Sequence, residues 1–444
     1  MKFQVGRKFL LLSACATLFS SFAFGQATTV PVVPTDDVSP GEFRPFSWVV
    51  IPSDSSVTPG LVPAPGQTVC NSGNPCYYTP ATLTTAYGLP PIQNRGSRGA
   101  GTTIAIVDAY YDPQILANLQ AYSNTFNLPQ IGSCGTFTAV NQTGGSPTSV
   151  GFNAGWAEEA NLDVQQAHAT APCANILLIA ANSASYANLF TGVQYAAAHA
   201  DIVSNSYGGG EFSGELTQDA TLAALKVPLL FSSGDTGGAQ SYPCLSPYAV
   251  CVGGTNLLTT ASAFRTAESA WYNGASVGGT GGGCSIYETK PAYQTGFSEK
   301  NCGATRSSPD IAALADPYSG VPFTVSSNTI SSANGPTTFC CIGGTSLAAP
   351  LVAGILANVD SARVSAGKAK LGSNLNTLLY QAAKYTPSGT TVQPAPYGNS
   401  YRSFYFDVFQ GGTTYPATTY LDLTTGLGVP SFSALGNYLI TQAP

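Results

Sequence analysis

The stretch FCCIGGTSLAAPLVAGILANVDSARV, Phe339 to Val364, decides how the rest of the chain is read. Two glycines and a threonine lead into Ser346, and a long apolar helical pattern follows from Ser346 to Val364. A nucleophilic serine is often presented in this way, and it needs a base to take its proton. The usual base is histidine, and the whole chain has only two. His168 lies late in the pattern AEEANLDVQQAHATAP, and His199 ends the pattern SYANLFTGVQYAAAHA. Both read as structural or exposed residues. A histidine triad with Asp108 as its acid is the rival reading. It lacks the local motif in which a histidine would open a helix.

Outward from Ser346 the chain alternates strands and helices. GTTIAIVDAYYD gives a buried strand, Thr103 to Val107, that ends at Asp108. PQILANLQAYSNTFNLP and AEEANLDVQQAHATAP are helix patterns, the second stopped at Pro172. ANILLIAA, DIVSNSYGGG and VPLLFSSGD read as strands, with helix patterns SYANLFTGVQYAAAHA and LTQDATLAALK between them. Such alternation predicts parallel βαβ units in one α/β domain. Residues 250–340 are rich in glycine and turns, with weaker periodicity.

Of 444 residues, 44% are hydrophobic, enough for a large core. Only 9% are charged, against about 25% in ordinary globular chains. The net charge is −6, which excludes the basic footprint of a nucleic-acid binder. A surface poor in ionisable groups changes little in charge as pH falls, which suits an acidic medium.

Lys2, Arg7 and Lys8, the apolar run Phe9–Phe24 and the Ala23-Phe24-Gly25 site form a secretory signal over residues 1–25. The rival is a lipid anchor through Cys15 in the box LSAC, Leu12–Cys15. Residues 26–78 read as an extended leader or linker, with order starting at YTPATLTTAYGLP. No later stretch reads as ~18 uncharged apolar residues of a membrane span. Removing Cys15 leaves ten of eleven cysteines, and disulfides are expected in an exported chain. Cys70/Cys76, Cys134/Cys173, Cys244/Cys251 and Cys284/Cys302 are neighbours. The partner of Cys340 and Cys341 is left open. With no CxxC pair and few histidines, zinc is not expected.

Two carboxylate features answer the question that Ser346 raises. Glu159 and Asp163 in EANLD are four residues apart and share a helix face. Like charges so close raise a carboxyl pKa, so a proton shared with Asp163 would let Glu159 act as a general base. His168 lies about 180° round that helix. Glu158 reads as a solvated neighbour. Asp235 in LLFSSGDTGG ends an apolar strand, where a protonated carboxyl could donate to a developing oxyanion.

Glu-x-x-x-Asp, then SSGD, then GGTSxxAP resembles the sedolisin family, the serine-carboxyl peptidases, over residues 79–435. TPATLTTAYGLP, VCVGGTNL, ESAWYNG, GGGCSIYETKPAYQ, RSSPDIAALADPYSG and YLDLTTGLGVP match in order. The resemblance implies a subtilisin-like fold with a mostly parallel central sheet flanked by helices, one large domain over 79–444. It implies Ser346 as nucleophile, Glu159 as base, Asp163 as its partner and Asp235 as oxyanion acid, with acid activity on proteins or peptides. Ser206, Tyr207 and Gly208 in SNSYGGGE would pair with the substrate backbone, with Tyr207 where the family has Trp. One calcium would be held by Asp407 and Asp422 and the carbonyls of Val408, Thr418 and Tyr420, the hard oxygen ligands this ion takes. Segment 26–78 is too short for the long folded prodomain that the family carries. The expected product is a secreted, monomeric endopeptidase. The alternative is a non-catalytic binding protein on the same fold.

Overall fold

The computed structural model describes residues 28–31, 41–51, 70–72, 75–238, 241–297, 302–326, 335–387 and 396–441. The expected signal and the rival box Leu12–Cys15 lie outside them.

The strand Thr103–Ala109 (β1) buries every residue from Ile104 onward, as a strand covered on both faces must. It sits inside an eight-stranded sheet with Phe137–Asn141 (β2), Asn175–Ala181 (β3), Ile202–Asn205 (β4), Leu229–Ser232 (β5), Val250–Thr259 (β6), Arg265–Ala270 (β7) and Ile311–Leu314 (β8). The order is β7-β6-β5-β4-β1-β3-β2, with β8 also on β6. All pairs are parallel except β6–β7. The expected single α/β domain is therefore what forms, and the glycine-rich region after residue 250 supplies its far edge.

Three helices matter for the site: Ala154–Thr170 (α1), Tyr186–His199 (α2) and Thr345–Ser365 (α3). Asn153 starts α1 by accepting the Trp156 N–H, and Ser185 caps α2 through the Asn188 N–H. In α3 every residue from Thr345 to Arg363 is buried. Leu347, Leu351 and Ile355 each contribute about 1.5–3 kcal/mol by that burial. By length and composition α3 could cross a membrane, which the sequence reading did not anticipate. It is 94% buried inside the protein, because it is the central helix of the core. Gly354 lets α1 approach: a Cβ there would meet Thr170 Oγ1 and the Ala167 carbonyl. Asn358 closes the contact by donating to the Thr170 carbonyl at 2.9 Å.

Ordered structure begins before Tyr78. Thr28–Pro31 and Trp48–Ile51 are strands of a second, antiparallel sheet, in which Trp48 and Val49 pair with Gly343 and Ile342. The leader is therefore built into the strand that enters the serine turn. All four expected disulfides form, and Cys340 pairs with Cys341 on that same strand.

Candidate active site

Ser346 is the second residue of α3. Gly344 makes the turn before it, at φ 108°. A Cβ at Gly344 would lie 2.2 Å from the Phe46 carbonyl oxygen and 2.7 Å from Asp235 Oδ2, so only glycine fits. The Ser346 N–H donates to the Phe46 carbonyl at 3.0 Å. Its Oγ accepts the Phe46 N–H at 3.0 Å and donates to the Ser206 carbonyl at 3.2 Å. Pro350, one turn on, has no N–H for the Ser346 carbonyl. The Ser206 hydroxyl donates to that carbonyl instead, at 3.3 Å.

α1 supplies the carboxyls. Glu159 and Asp163 are fully buried, and Asp108 at the end of β1 lies beside them. Burial raises the Glu159 pKa well above the carboxylate range, and the charge of Asp108 raises it further. The hydroxyls of Ser346 and Ser47 beside it pull the other way. Asp163 is pushed up by burial, then by Asp108, then by Glu159. Asp108 itself rises to about 8 through burial. Glu159 Oε1 and both oxygens of Asp163 and Asp108 make no close hydrogen bond among the described residues, although the Ser206 hydroxyl beside Asp163 and the Ser346 hydroxyl beside Glu159 pull their pKa values down. Carboxyl oxygens in this state are compatible only if protons sit between them. Ser47 Oγ donates to the other Glu159 oxygen at 2.5 Å.

Asp235 follows β5 and accepts the Thr345 N–H at 2.9 Å and the Thr345 hydroxyl at 2.7 Å, both on Oδ1. Its Oδ2 faces the Gly344 turn. Burial raises its pKa to about 7, although the Thr345 donors and Arg44 counteract it. Ser206, Tyr207 and Gly208 run beside the serine. Arg44 pairs antiparallel with Gly208, and Pro45 with Tyr207. The Tyr207 ring is buried, and its hydroxyl donates to Asn205 Oδ1 at 3.0 Å.

Neither histidine is hydrogen-bonded to Ser346. His168 is buried on the far side of α1 with Nε2 at 3.0 Å from the Pro129 carbonyl, and burial lowers its pKa to about 4. His199 stacks on Tyr195 at the exposed end of α2. Glu158 is also buried rather than solvated, because α1 has no solvent face along its length. The sequence reading missed the contributions of Asp108, Phe46 and Ser47. Asp108 was legible only as a strand-end acid of the histidine triad, not as a neighbour of Glu159 and Asp163.

The calcium residues converge but do not present a cation cage. Asp407 Oδ1 accepts the Tyr420 N–H at 2.7 Å and the Tyr401 hydroxyl at 3.3 Å. Asp422 accepts the N–H groups of Thr418, Thr424 and Thr425 at 2.7–2.9 Å. Thr418 and Tyr420 thus set N–H donors on the two carboxylates, and no cluster of three or more acidic, histidine or cysteine side chains stands among the described residues, where calcium needs six to eight oxygens. The donor set does not fit the ion. Chelation with EDTA is expected to move the melting temperature by less than about 1 °C, because no ligand bond would be lost. A calcium-dependent rise of several degrees would show that the loop re-aims.

A buried serine at a helix start, a buried carboxyl cluster beside it and a parallel sheet beneath them define the site. Residues 135–400 match the model of the Subtilase family. The chain belongs to that family. Its relatives place it in the sedolisin branch. Kumamolisin of Bacillus sp. (strain MN-32) is 31% identical over 388 residues, 81% of this chain and 63% of that protein. Sedolisin of Pseudomonas sp. (strain 101) is 31% identical over 244 residues, 50% of this chain and 36% of that protein. The chain thus spans less than two thirds of either relative's length. A solved structure of Pseudomonas sedolisin, a serine-carboxyl proteinase complexed with two molecules of pseudo-iodotyrostatin, superposes with a TM-score of 0.67 at 24% identity. It covers 84% of this chain and 100% of that one, and it shares the subtilisin-like fold.

Proposed function

We propose that the protein is a secreted serine-carboxyl endopeptidase that hydrolyses peptide bonds at acidic pH. The observation that carries this is the placement of the Ser346 hydroxyl beside buried Glu159, with Asp163 and Asp108 behind it and no histidine near. Glu159, sharing a proton with Asp163, takes the proton of Ser346 as Oγ attacks the substrate carbonyl. The developing oxyanion accepts from the Ser346 N–H and from protonated Asp235. The Glu159 carboxyl then protonates the leaving amine, and water resolves the acyl-enzyme by the reverse path. Ser206 to Gly208 hold the substrate backbone as a strand. Export rests on the N-terminal signal pattern, and no step runs through calcium.

Asp235 sets an upper pH limit in this reading. Its proton is lost as pH rises through about 7, and a carboxylate there repels the oxyanion. Wild type is expected to digest a denatured protein best at pH 3–5 and to fall off toward pH 8. In Asp235→Asn the amide stays neutral at every pH. The descending limb of kcat/KM should then move up by about one unit or more, with the acid limb unmoved. An identical profile in both proteins removes Asp235 from the oxyanion role. A folded wild-type protein inert from pH 2 to 8 removes the peptidase reading.

A further inference from the structure

We propose that Glu211, Glu215, Asp219 and Glu288 form a clasp, closed by shared protons, that holds the edge Tyr207–Gly209 in position for a peptide. What the edge receives rests on the peptidase reading above; the clasp does not. ELTQD, Glu215 to Asp219, is a second Glu-x-x-x-Asp in the chain. The helix Glu215–Ala224 sets both side chains on one face, one turn apart, and both are buried. Glu288 is buried on the strand Gly283–Thr289. Two carboxyl-to-carboxyl hydrogen bonds result, Glu211 with Glu215 and Asp219 with Glu288. An ionised carboxyl has no proton to give, so each bond exists only while one partner is protonated. No N–H or hydroxyl is bonded to Glu215 Oε1 or Glu288 Oε1 among the described residues.

Neighbouring chain holds these carboxyls in place. The Phe212 N–H donates to Glu215 Oε2 at 2.9 Å. The Ser285 hydroxyl and the Ile286 N–H donate to Glu211 Oε1, the latter at 3.2 Å. The Glu288 N–H donates to the same Ser285 Oγ at 2.7 Å, which ties both pairs to one strand. The Arg306 guanidinium faces Asp219 and Glu288, but it is paired with Asp310 at 2.7 Å. Tyr186 faces Glu215, and Tyr293 faces Asp219. Burial raises the pKa of Glu215 and of Glu288 to about 8, and it raises that of Asp219 as well. The charge of Glu211 adds to the rise at Glu215, and that of Asp219 adds to it at Glu288.

The clasp reaches the edge through Tyr242. The Tyr242 hydroxyl donates to Asp219 Oδ1 at 3.0 Å, and its buried ring stands edge-on to Phe212 at 5.6 Å. Its backbone bonds Gly209 in both directions, at 2.9 Å and 3.0 Å. Gly208 lies against the same turn: a Cβ there would be 2.3 Å from Ser241 Oγ and 3.0 Å from the Tyr242 carbonyl oxygen. The edge thus follows Tyr242, and Tyr242 follows Asp219.

With the clasp open, these carboxyls titrate near 4. The closed clasp therefore binds protons that the open one releases. Closure is fully favoured below about pH 4 and is lost as pH rises through about 8. Each pair then sets carboxylate against carboxylate, which drives the helix from the strand. Holding a peptide thus needs acid for a reason separate from the chemistry at Asp235.

The test is amide hydrogen exchange of the full chain carrying Ser346→Ala, so that no proteolysis intervenes, corrected for the intrinsic effect of pH. From pH 5 to pH 8 the Gly209 and Tyr242 amides and the helix Glu215–Ala224 should lose protection by about tenfold or more, while α3 keeps its own. Adding Glu215→Gln and Glu288→Gln supplies N–H donors that do not titrate, so protection should no longer depend on pH. Tyr242→Phe keeps the ring, and it should bring Gly209 at pH 5 down to its pH 8 level without loosening the helix. With Ser346 intact, KM for a peptide should rise over the same range by about fivefold or more, and the double substitution should remove that rise. Protection at Gly209 that is flat with pH, or that falls equally in the doubly substituted protein, overturns the clasp. So does a loss that occurs only together with α3. A protein with Ser346 intact that is inert on peptides overturns the peptidase reading, while the exchange result stands on its own.

Discussion

Ser346→Ala and Glu159→Gln are each expected to lower kcat/KM on a denatured protein at pH 4 by about 10⁴- to 10⁶-fold. Alanine removes the atom that forms the acyl bond. Glutamine keeps the shape of the base and its contact with Ser47, but it cannot accept the hydroxyl proton. Nucleophile and base act in one step, so the double variant should be little worse than either single one. Both variants should fold, as circular dichroism can check. Strong residual activity in Glu159→Gln that disappears in His168→Ala would sink the carboxyl base. The structure argues against that outcome, since His168 is committed to the Pro129 carbonyl.

The second large effect is on stability. Burial raises the pKa of Asp108 to about 8, of Asp235 and Asp360 to about 7, and of Asp316 to about 6. Unfolded, these groups titrate near 4. Between about pH 4 and pH 8 the folded chain therefore holds protons that the unfolded chain has released. Stability from these groups is fully present below pH 4 and is lost as pH rises through their folded values. The melting temperature is expected to fall from pH 4 to pH 8 by on the order of 10 °C. A scanning-calorimetry profile that is flat, or that rises toward pH 8, contradicts the buried, protonated state of these carboxyls. Arg306 and Asp310 are both buried and pair at 2.7 Å.

The fold was legible wherever periodicity was strong. The apolar run at Thr103–Val107 reads as a buried strand and forms one, and the pattern from Ser346 to Val364 reads as a long apolar helix and forms one. Glu159 and Asp163 were legible as a pair because helical spacing is local. The contribution of Asp108 was not, because strand β1 and helix α1 meet through tertiary packing that no spacing encodes. Glu158 was misjudged for the same reason: adjacency to a buried residue on an amphipathic helix predicts exposure, and α1 is not amphipathic. The leader was read as a linker because Pro, Ser and Thr dominate it. Its order comes from strand pairing with Tyr207–Gly208 and Ile342–Gly343, contacts made far away in sequence. Asp407 and Asp422 were found by motif, but which groups their neighbours turn toward them depends on loop geometry.

The missing N–H of Pro350 ties two parts of the site into one mechanical body. A helix that closed its own first turn could slide or tilt without regard to the strand beside it. Here the carbonyl of the nucleophile is answered from Ser206, and the hydroxyl of the nucleophile answers back to the same residue. The strand at Ser206 and the helix that carries Ser346 therefore share a reciprocal clasp. In the proposed mechanism, a displacement of a bound chain along that strand would be transmitted to the Ser346 oxygen, making alignment of substrate and nucleophile one degree of freedom rather than two.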